Sequence, residues 1–125
     1  MKVFRCKVCG KVILMMHETK VPTMCCGQEM EEEVANVTEA ASEKHLPVCE
    51  VEGQNIEVKV GDVAHPMTEE HYITWIAIEM EDSIQIHYLQ PEQEPKATFV
   101  VAANQIVKKV YAYCNLHYLW MKELS

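Results

Sequence analysis

The pattern of apolar and polar positions from His45 onward is typical of β-strands. Short runs of β-branched and aromatic residues are separated by turn signals, and Ile56–Val60 alternates apolar with charged residues before Gly61. The six predicted strands are Leu46–Val51, Ile56–Val60, Tyr72–Met80, Ile84–Leu89, Ala97–Ala103 and Ile106–Tyr113, the third and fourth forming a hairpin. This succession predicts a mainly β fold, an antiparallel sandwich of immunoglobulin type with Trp75 in its core.

The first 36 residues follow a different pattern, with few large apolar side chains and four of the six cysteines. Gly10 and Gly27 each follow a cysteine, where a tight turn requires positive φ. A segment of this size buries too little surface to fold alone, so we expect a bound metal to stabilise it. We therefore predict a small metal-bound domain at 1–36 and a β-sandwich domain at 37–125, joined by an acidic stretch and a linker ending near Ser42.

Composition narrows the possible functions. The 125 residues are 49% hydrophobic and 24% charged, as in a folded protein of one domain with a small annex. The net charge of -8 argues against a nucleic-acid-binding surface, which needs a basic face. The early apolar run Val12–Met16 is too short for a membrane span and wrongly flanked for a secretory signal. We expect a cytoplasmic protein with neither a nucleic-acid nor a membrane partner.

The first candidate site is a set of four cysteines. Cys6 and Cys9 form one pair and the adjacent Cys25 and Cys26 another, and a reducing compartment would keep them as thiols. Four thiolates around one ion select zinc or iron, and spacing alone leaves a structural zinc site open. Haem attachment is excluded because Gly10, not histidine, follows Cys9. Because Cys25 and Cys26 are neighbours, we expect a distorted tetrahedron.

The second candidate site combines four histidines with one cysteine. The candidate ligands are His45, His65, His71, Cys114 and His117. Taken singly, each histidine fits a surface or capped residue better than a ligand, and the strongest local pair is Cys114 with His117. Together, four imidazoles and a thiolate suit iron better than four-coordinate zinc.

These motifs together resemble the desulfoferrodoxins, the two-iron superoxide reductases of anaerobes. The resemblance covers essentially the whole chain through five motifs in order: Cys6–Cys9, Cys25–Cys26, Glu43–His45, His65–Ile73 and Cys114–His117. The chain departs from the pattern at Tyr118, where the family commonly has glycine, and we expect the ring to alter the backbone there.

The resemblance implies two iron centres in two domains. A desulforedoxin-like domain would hold Fe(Cys)4, and an immunoglobulin-like domain would hold a catalytic Fe(His)4(Cys) centre. The implied ligands are Cys6, Cys9, Cys25 and Cys26 for the first iron, and His45, His65, His71 and His117 with axial Cys114 for the second. His17, His87 and Cys49 match no ligand position, and we expect Cys49 in the core.

The resemblance also implies a reaction. Five protein ligands leave a sixth position on iron for superoxide, which would be reduced to hydrogen peroxide with reduced rubredoxin as the electron donor. Lys44 is expected to attract the anionic substrate, and the family implies that the Glu43 carboxylate takes the sixth position once iron is oxidised. We expect a homodimer. The alternatives are an electron carrier whose only redox centre is the four-thiolate iron, and a structural zinc-binding β-sandwich.

Overall fold

The computed structural model describes residues 1–37, 42–61 and 63–124, without the side chains of Ser42 and Glu43. Residues 38–41 of the predicted linker lie outside this part. The chain divides into two compact units, Met1–Val34 and Ala35–Ser125. Strands account for nearly all of the regular structure, and no helix within the described ranges is long and apolar enough to cross a bilayer.

The first unit consists of short strands around very little core. Its strands are β1 (Lys2–Arg5), β2 (Val12–Met15), β3 (Met24–Cys25), β4 (Gln28–Glu29) and β5 (Glu31–Glu32). β1 lies between β2 and β5, and β3 pairs with β4 as a separate ribbon. Among its described residues, the buried apolar side chains are Val3, Cys6 and Met30. So small a core leaves this unit dependent on a cross-link such as a metal ion.

The second unit is an antiparallel β-sandwich. Its elements are α1 (Ser42–His45), β6 (Pro47–Glu52), β7 (Asn55–Val60), β8 (Ile73–Glu79), β9 (Ile84–Tyr88), β10 (Lys96–Val100), β11 (Lys109–Cys114) and β12 (Tyr118–Glu123). One sheet has the order β10-β7-β6 and the other β12-β11-β8-β9. The predicted fold class is confirmed, and β12 is an additional strand that the sequence pattern did not predict.

One apolar cluster lies between the two sheets of the sandwich. The alternation predicted for β7 places Ile56, Val58 and Val60 in it, together with Phe99 from β10 and side chains of the other sheet. Cys49 is partly buried and packs against this cluster, close to its predicted place in the core.

The prediction that Trp75 lies in the core is wrong. Its neighbour Ile76 is fully buried in the cluster, and successive strand residues point to opposite faces of a sheet. Trp75 is only partly buried, and its ring stacks on Tyr113 with centroids 5.4 Å apart. The buried tryptophan is Trp120 on β12, with 2% of its surface exposed.

Candidate metal centres

The four N-terminal cysteines converge in the first unit. Cys6 and Cys9 lie in the turn after β1, and Cys25 and Cys26 lie at the turn between β3 and β4. Their sulfur atoms all lie within 4.8 Å of one another, with 3.7 Å between Cys9 Sγ and Cys25 Sγ and 3.9 Å between Cys25 Sγ and Cys26 Sγ. A tetrahedral ion with metal–sulfur bonds of about 2.3 Å requires sulfur separations of about 3.8 Å. These two separations match a tetrahedral ion, and all four sulfur atoms lie close enough together to share one ion.

The backbone explains how two adjacent cysteines reach the same point. Cys26 has a φ of 54° and Gly27 a φ of 73°, both left-handed. This conformation costs a residue other than glycine roughly 1–2 kcal/mol, so the Cys26 backbone is strained. The Cys25–Cys26 sulfur separation, by contrast, stays near the tetrahedral value. Gly10 has a φ of 80° at the first pair, as its position predicted.

The protonation of these thiols is uneven. Hydrogen bonding from the backbone of Cys9 lowers the pKa of Cys6 to about 6. Hydrogen bonds with the Cys6 and Cys9 side chains raise the pKa of Cys25 to about 12. Neighbouring thiolates repel one another, which opposes the ionisation of all four thiols together. A bound cation offsets this repulsion, so metal binding releases the thiol protons.

The second cluster is assembled from three segments of the sandwich. His45 ends α1, His65 and His71 lie between β7 and β8, and Cys114 ends β11. The ligand atoms of these four residues lie within 4.8 Å of one another. His117, in the turn between β11 and β12, lies beside them.

Two distances place His117 at the cluster. Its Nδ1 is 3.1 Å from His45 Nε2 and 3.9 Å from Cys114 Sγ. The structure thus brings together all five side chains singled out in the sequence. His17 is exposed and His87 stacks on Phe99, and neither belongs to the two clusters found in the described part of the chain.

Buried nitrogens show that this cluster suits a cation. His65 Nδ1 lies 2.7 Å from the Pro66 carbonyl oxygen, which can only accept, so Nδ1 carries the proton and Nε2 presents a lone pair. Within the described residues, His65 Nε2 and His71 Nε2 are buried without a hydrogen-bond partner. Such atoms destabilise a fold by about 1–3 kcal/mol each. A metal ion at the centre would satisfy both.

Burial sets the charge state of these donors. Burial lowers the pKa of His65 to about 4 and also lowers the pKa of His71, so both imidazoles are neutral near pH 7. Burial raises the pKa of the Cys114 thiol, whose surface is 0% exposed. Neutral imidazoles with one thiol that ionises on metal binding are ligands suited to a transition metal.

Trp120 supports two of the histidines, although no sequence motif singled it out. Its ring stacks on His45 with centroids 4.8 Å apart, and its Nε1 donates to the His117 carbonyl oxygen at 3.1 Å. The one signal that could have found it was the apolar run Tyr118–Met121 directly after His117, which forms β12.

Of the two charged residues before His45, the structure describes the side chain of Lys44 but not that of Glu43. Lys44 is exposed, and its positive charge is near enough to His71 to contribute, after burial and the neighbouring histidines, to lowering the pKa of that imidazole. Glu43 lies in α1, but its side chain is outside the described part.

Comparison with known proteins identifies the chain. Residues 37–123 match the desulfoferrodoxin family and residues 1–32 match the desulfoferrodoxin N-terminal domain. The chain belongs to the desulfoferrodoxin family. The resemblance predicted from the five motifs is therefore confirmed, and the four-cysteine and histidine–cysteine clusters match the two-iron arrangement of desulfoferrodoxins.

Individual relatives are similar in sequence to this protein over most of its chain. A desulfoferrodoxin homolog from Archaeoglobus fulgidus is 42% identical, over 96% of this chain and 94% of that protein. The superoxide reductase of Pyrococcus abyssi is 38% identical, over 66% of this chain and 87% of its own. The crystal structure of the superoxide reductase from Treponema pallidum matches with a TM-score of 0.82 and 34% identity, over 98% of both chains.

Tyr118, the residue after His117, has an unusual backbone conformation. It pairs with Cys114 across the hairpin and has a φ of 66°, a conformation that glycine adopts without penalty. Its ring lies 6.4 Å from that of Tyr113. Tyr118 therefore occupies a left-handed position that glycine would adopt without strain, and the expected effect of its ring stays a prediction.

We expect Tyr118→Gly to be more stable than Tyr118→Ala by roughly 1 kcal/mol, because both lose the ring and only alanine keeps the left-handed strain. Urea unfolding of the iron-loaded variants measures the difference. The control is Lys122, an exposed position on the same strand, where alanine should be the more stable replacement. Equal or greater stability of Tyr118→Ala would contradict the argument.

Proposed function

We propose that this protein is a superoxide reductase, in which His45, His65, His71, His117 and Cys114 hold the catalytic iron. The observation that carries the proposal is that these five side chains converge on one point. Two of their nitrogen atoms, on His65 and His71, are buried there without a hydrogen-bond partner within the described residues. The similar superoxide reductases from Pyrococcus abyssi and Treponema pallidum support it.

Iron bound by these five donors supplies a one-electron couple and a sixth coordination position for an anion. The reaction takes superoxide, one electron and two protons to hydrogen peroxide. The donor is proposed to be a rubredoxin-like protein, which restores the electron after each turnover. A homodimer and a cytoplasmic location remain predictions.

Cys114 and the neutral imidazoles would have different electronic effects on a bound iron. Neutral imidazoles add no charge, so the ferrous state stays accessible. The Cys114 thiolate would donate electron density to a bound iron, which would favour loss of an electron from that ion. Cys114 is fully buried, so this thiolate is shielded from solvent.

Lys44 is proposed to guide the substrate to the site. The chain carries a net charge of -8, which repels an anion. Lys44 is exposed, and its charge is felt at His71, so it provides a local positive field beside the cluster. Its neighbour Glu43 carries the opposite charge and is proposed to bind the oxidised ion as a hard oxygen ligand.

Pulse radiolysis of the iron-loaded protein tests the function and the role of Lys44 together. The ferrous protein should consume superoxide and yield one hydrogen peroxide per superoxide, with no dioxygen. In Lys44→Ala the bimolecular rate should fall roughly threefold, because one charge at about 6 Å in water is worth roughly 0.7 kcal/mol. The dependence of the rate on ionic strength should also become flatter.

Glu43→Ala is the control, because it removes a charge of opposite sign from the adjacent residue. Its rate of encounter with superoxide should not fall, whereas its ferric optical spectrum should change. Release of dioxygen, or a protein that leaves superoxide unconsumed, would contradict the proposed function. An unchanged rate in Lys44→Ala would contradict only the role of Lys44.

A further inference from the structure

Asn115 connects two of the segments that form the second cluster. It lies between Cys114 and Leu116 in the turn from β11 to β12, and its side chain is half-buried. Its Nδ2 donates to the Glu70 carbonyl oxygen at 2.9 Å, and its Oδ1 accepts from the Tyr72 backbone N–H at 2.9 Å. These two partners are the residues on either side of His71.

A backbone bond strengthens the same connection. The Asn115 N–H donates to the Tyr72 carbonyl oxygen at 3.2 Å. The β8–β11 ladder shifts register between Tyr113 and Cys114, just before this point. The backbone and the side chain of Asn115 therefore continue the hydrogen bonding where the regular ladder is interrupted. The side-chain amide takes the place that a peptide group has in a regular ladder.

The chemistry of the two contacts requires an amide. A carbonyl oxygen can only accept and a backbone N–H can only donate, so one side chain must do both. An aspartate at this position would accept from Tyr72 but could not donate to Glu70. An alanine would make neither bond.

We propose that Asn115 is a positioning residue that holds His71 beside Cys114 and His117 before a metal ion binds. This inference rests on the proposed role of His71 as a ligand. His71 also has local support, because its N–H and carbonyl bond with the backbone of Thr68. Those bonds shape the loop, whereas the Asn115 bonds fix the loop against the turn that carries Cys114 and His117.

The chain contains a matched control at Asn36. The Asn36 side chain makes the same two-way contact, donating to the Met121 carbonyl oxygen at 2.9 Å and accepting from the Met121 N–H at 2.8 Å. Neither Asn36 nor Met121 belongs to the metal clusters found among the described residues. Asn36→Asp and Asn115→Asp thus remove the same donor and add the same charge, one of them at the metal site.

The test measures the release of Fe²⁺ from each centre to a chelator in the full-length protein. Asn115→Asp should release the second iron roughly 10–100-fold faster than wild type, the range by which loss of an outer-shell partner weakens metal affinity, and Asn115→Ala faster still. The first iron should be retained in every variant, because its proposed ligands lie in the other unit, and urea unfolding of each variant reports whether the sandwich is folded. Asn36→Asp should release both irons at the wild-type rate.

Two outcomes would overturn the proposal. One is wild-type release of the second iron from Asn115→Asp; the other is equally fast release from Asn36→Asp, which would indicate a general loss of stability. If Asn115→Ala does not fold, the comparison of Asn115→Asp with Asn36→Asp still tests the proposal. Because iron release is measured and not superoxide consumption, failure here is distinguishable from failure of the proposed reaction.

Discussion

Replacing Cys114 with serine should abolish superoxide reduction and leave the first iron in place. Among the described residues, Cys114 is the cysteine that lies with the histidines of the second cluster, and it is fully buried. A serine oxygen is harder and donates less charge to iron, so the centre loses the ligand that favours electron transfer. The rate should fall more than about 100-fold, beyond the usual effect of losing an outer-shell partner.

Pulse radiolysis, iron content and the visible spectrum together check this result. Cys49→Ser is the matched control, because Cys49 lies in the same unit and packs against its core without belonging to the cluster. It should keep both irons and the wild-type rate. Wild-type superoxide kinetics in Cys114→Ser would show that the thiolate has been assigned the wrong role.

Replacing Cys9 with serine should empty the first site and unfold the first unit locally. The buried apolar residues of its described part are only Val3, Cys6 and Met30, so most of its folding free energy must come from the metal. Structural zinc in zinc-finger peptides, which are of similar size, contributes about 10–16 kcal/mol. The second iron should stay bound and reactive toward superoxide, because its proposed ligands all lie in the other unit.

Iron content, hydrogen exchange of residues 1–34 and superoxide kinetics measure these effects separately. Val8→Ser is the control, since Val8 lies between Cys6 and Cys9 but is 58% exposed. It should retain the first iron and its protection from exchange. Loss of activity in Cys9→Ser while the sandwich stays folded would instead indicate that electrons must pass through the first iron.

The strands of the sandwich were predictable where burial is one-sided or where turn residues mark the ends. β7 alternates, and its inward residues form the core as expected. β12 was missed because Leu119 and Trp120 are consecutive and both buried, so no period of two is visible. Trp75 was misplaced for a related reason: its strand is apolar on both faces, and only pairing decides which face is inside.

The residues of the second cluster were found because their motifs match a known family, and the residues that support them were not. His45 and Trp120 stack although they are far apart in sequence, and Asn115 acts through hydrogen bonds to Glu70 and Tyr72. Contacts of this kind leave no local pattern, since they depend on how distant segments pair. The left-handed turn at Cys26 was equally invisible, because the sequence there predicts a strained tetrahedron and not a strained backbone.

The two clusters differ in how much of the chain must exist before each is complete. The four cysteines fall between residues 6 and 26, so the first site can form as soon as this short segment leaves the ribosome. The second joins residue 45 to residue 117 and needs the β11–β12 hairpin, a long-range closure that is slow by comparison. The four-cysteine site can therefore be assembled during chain synthesis before the second site exists.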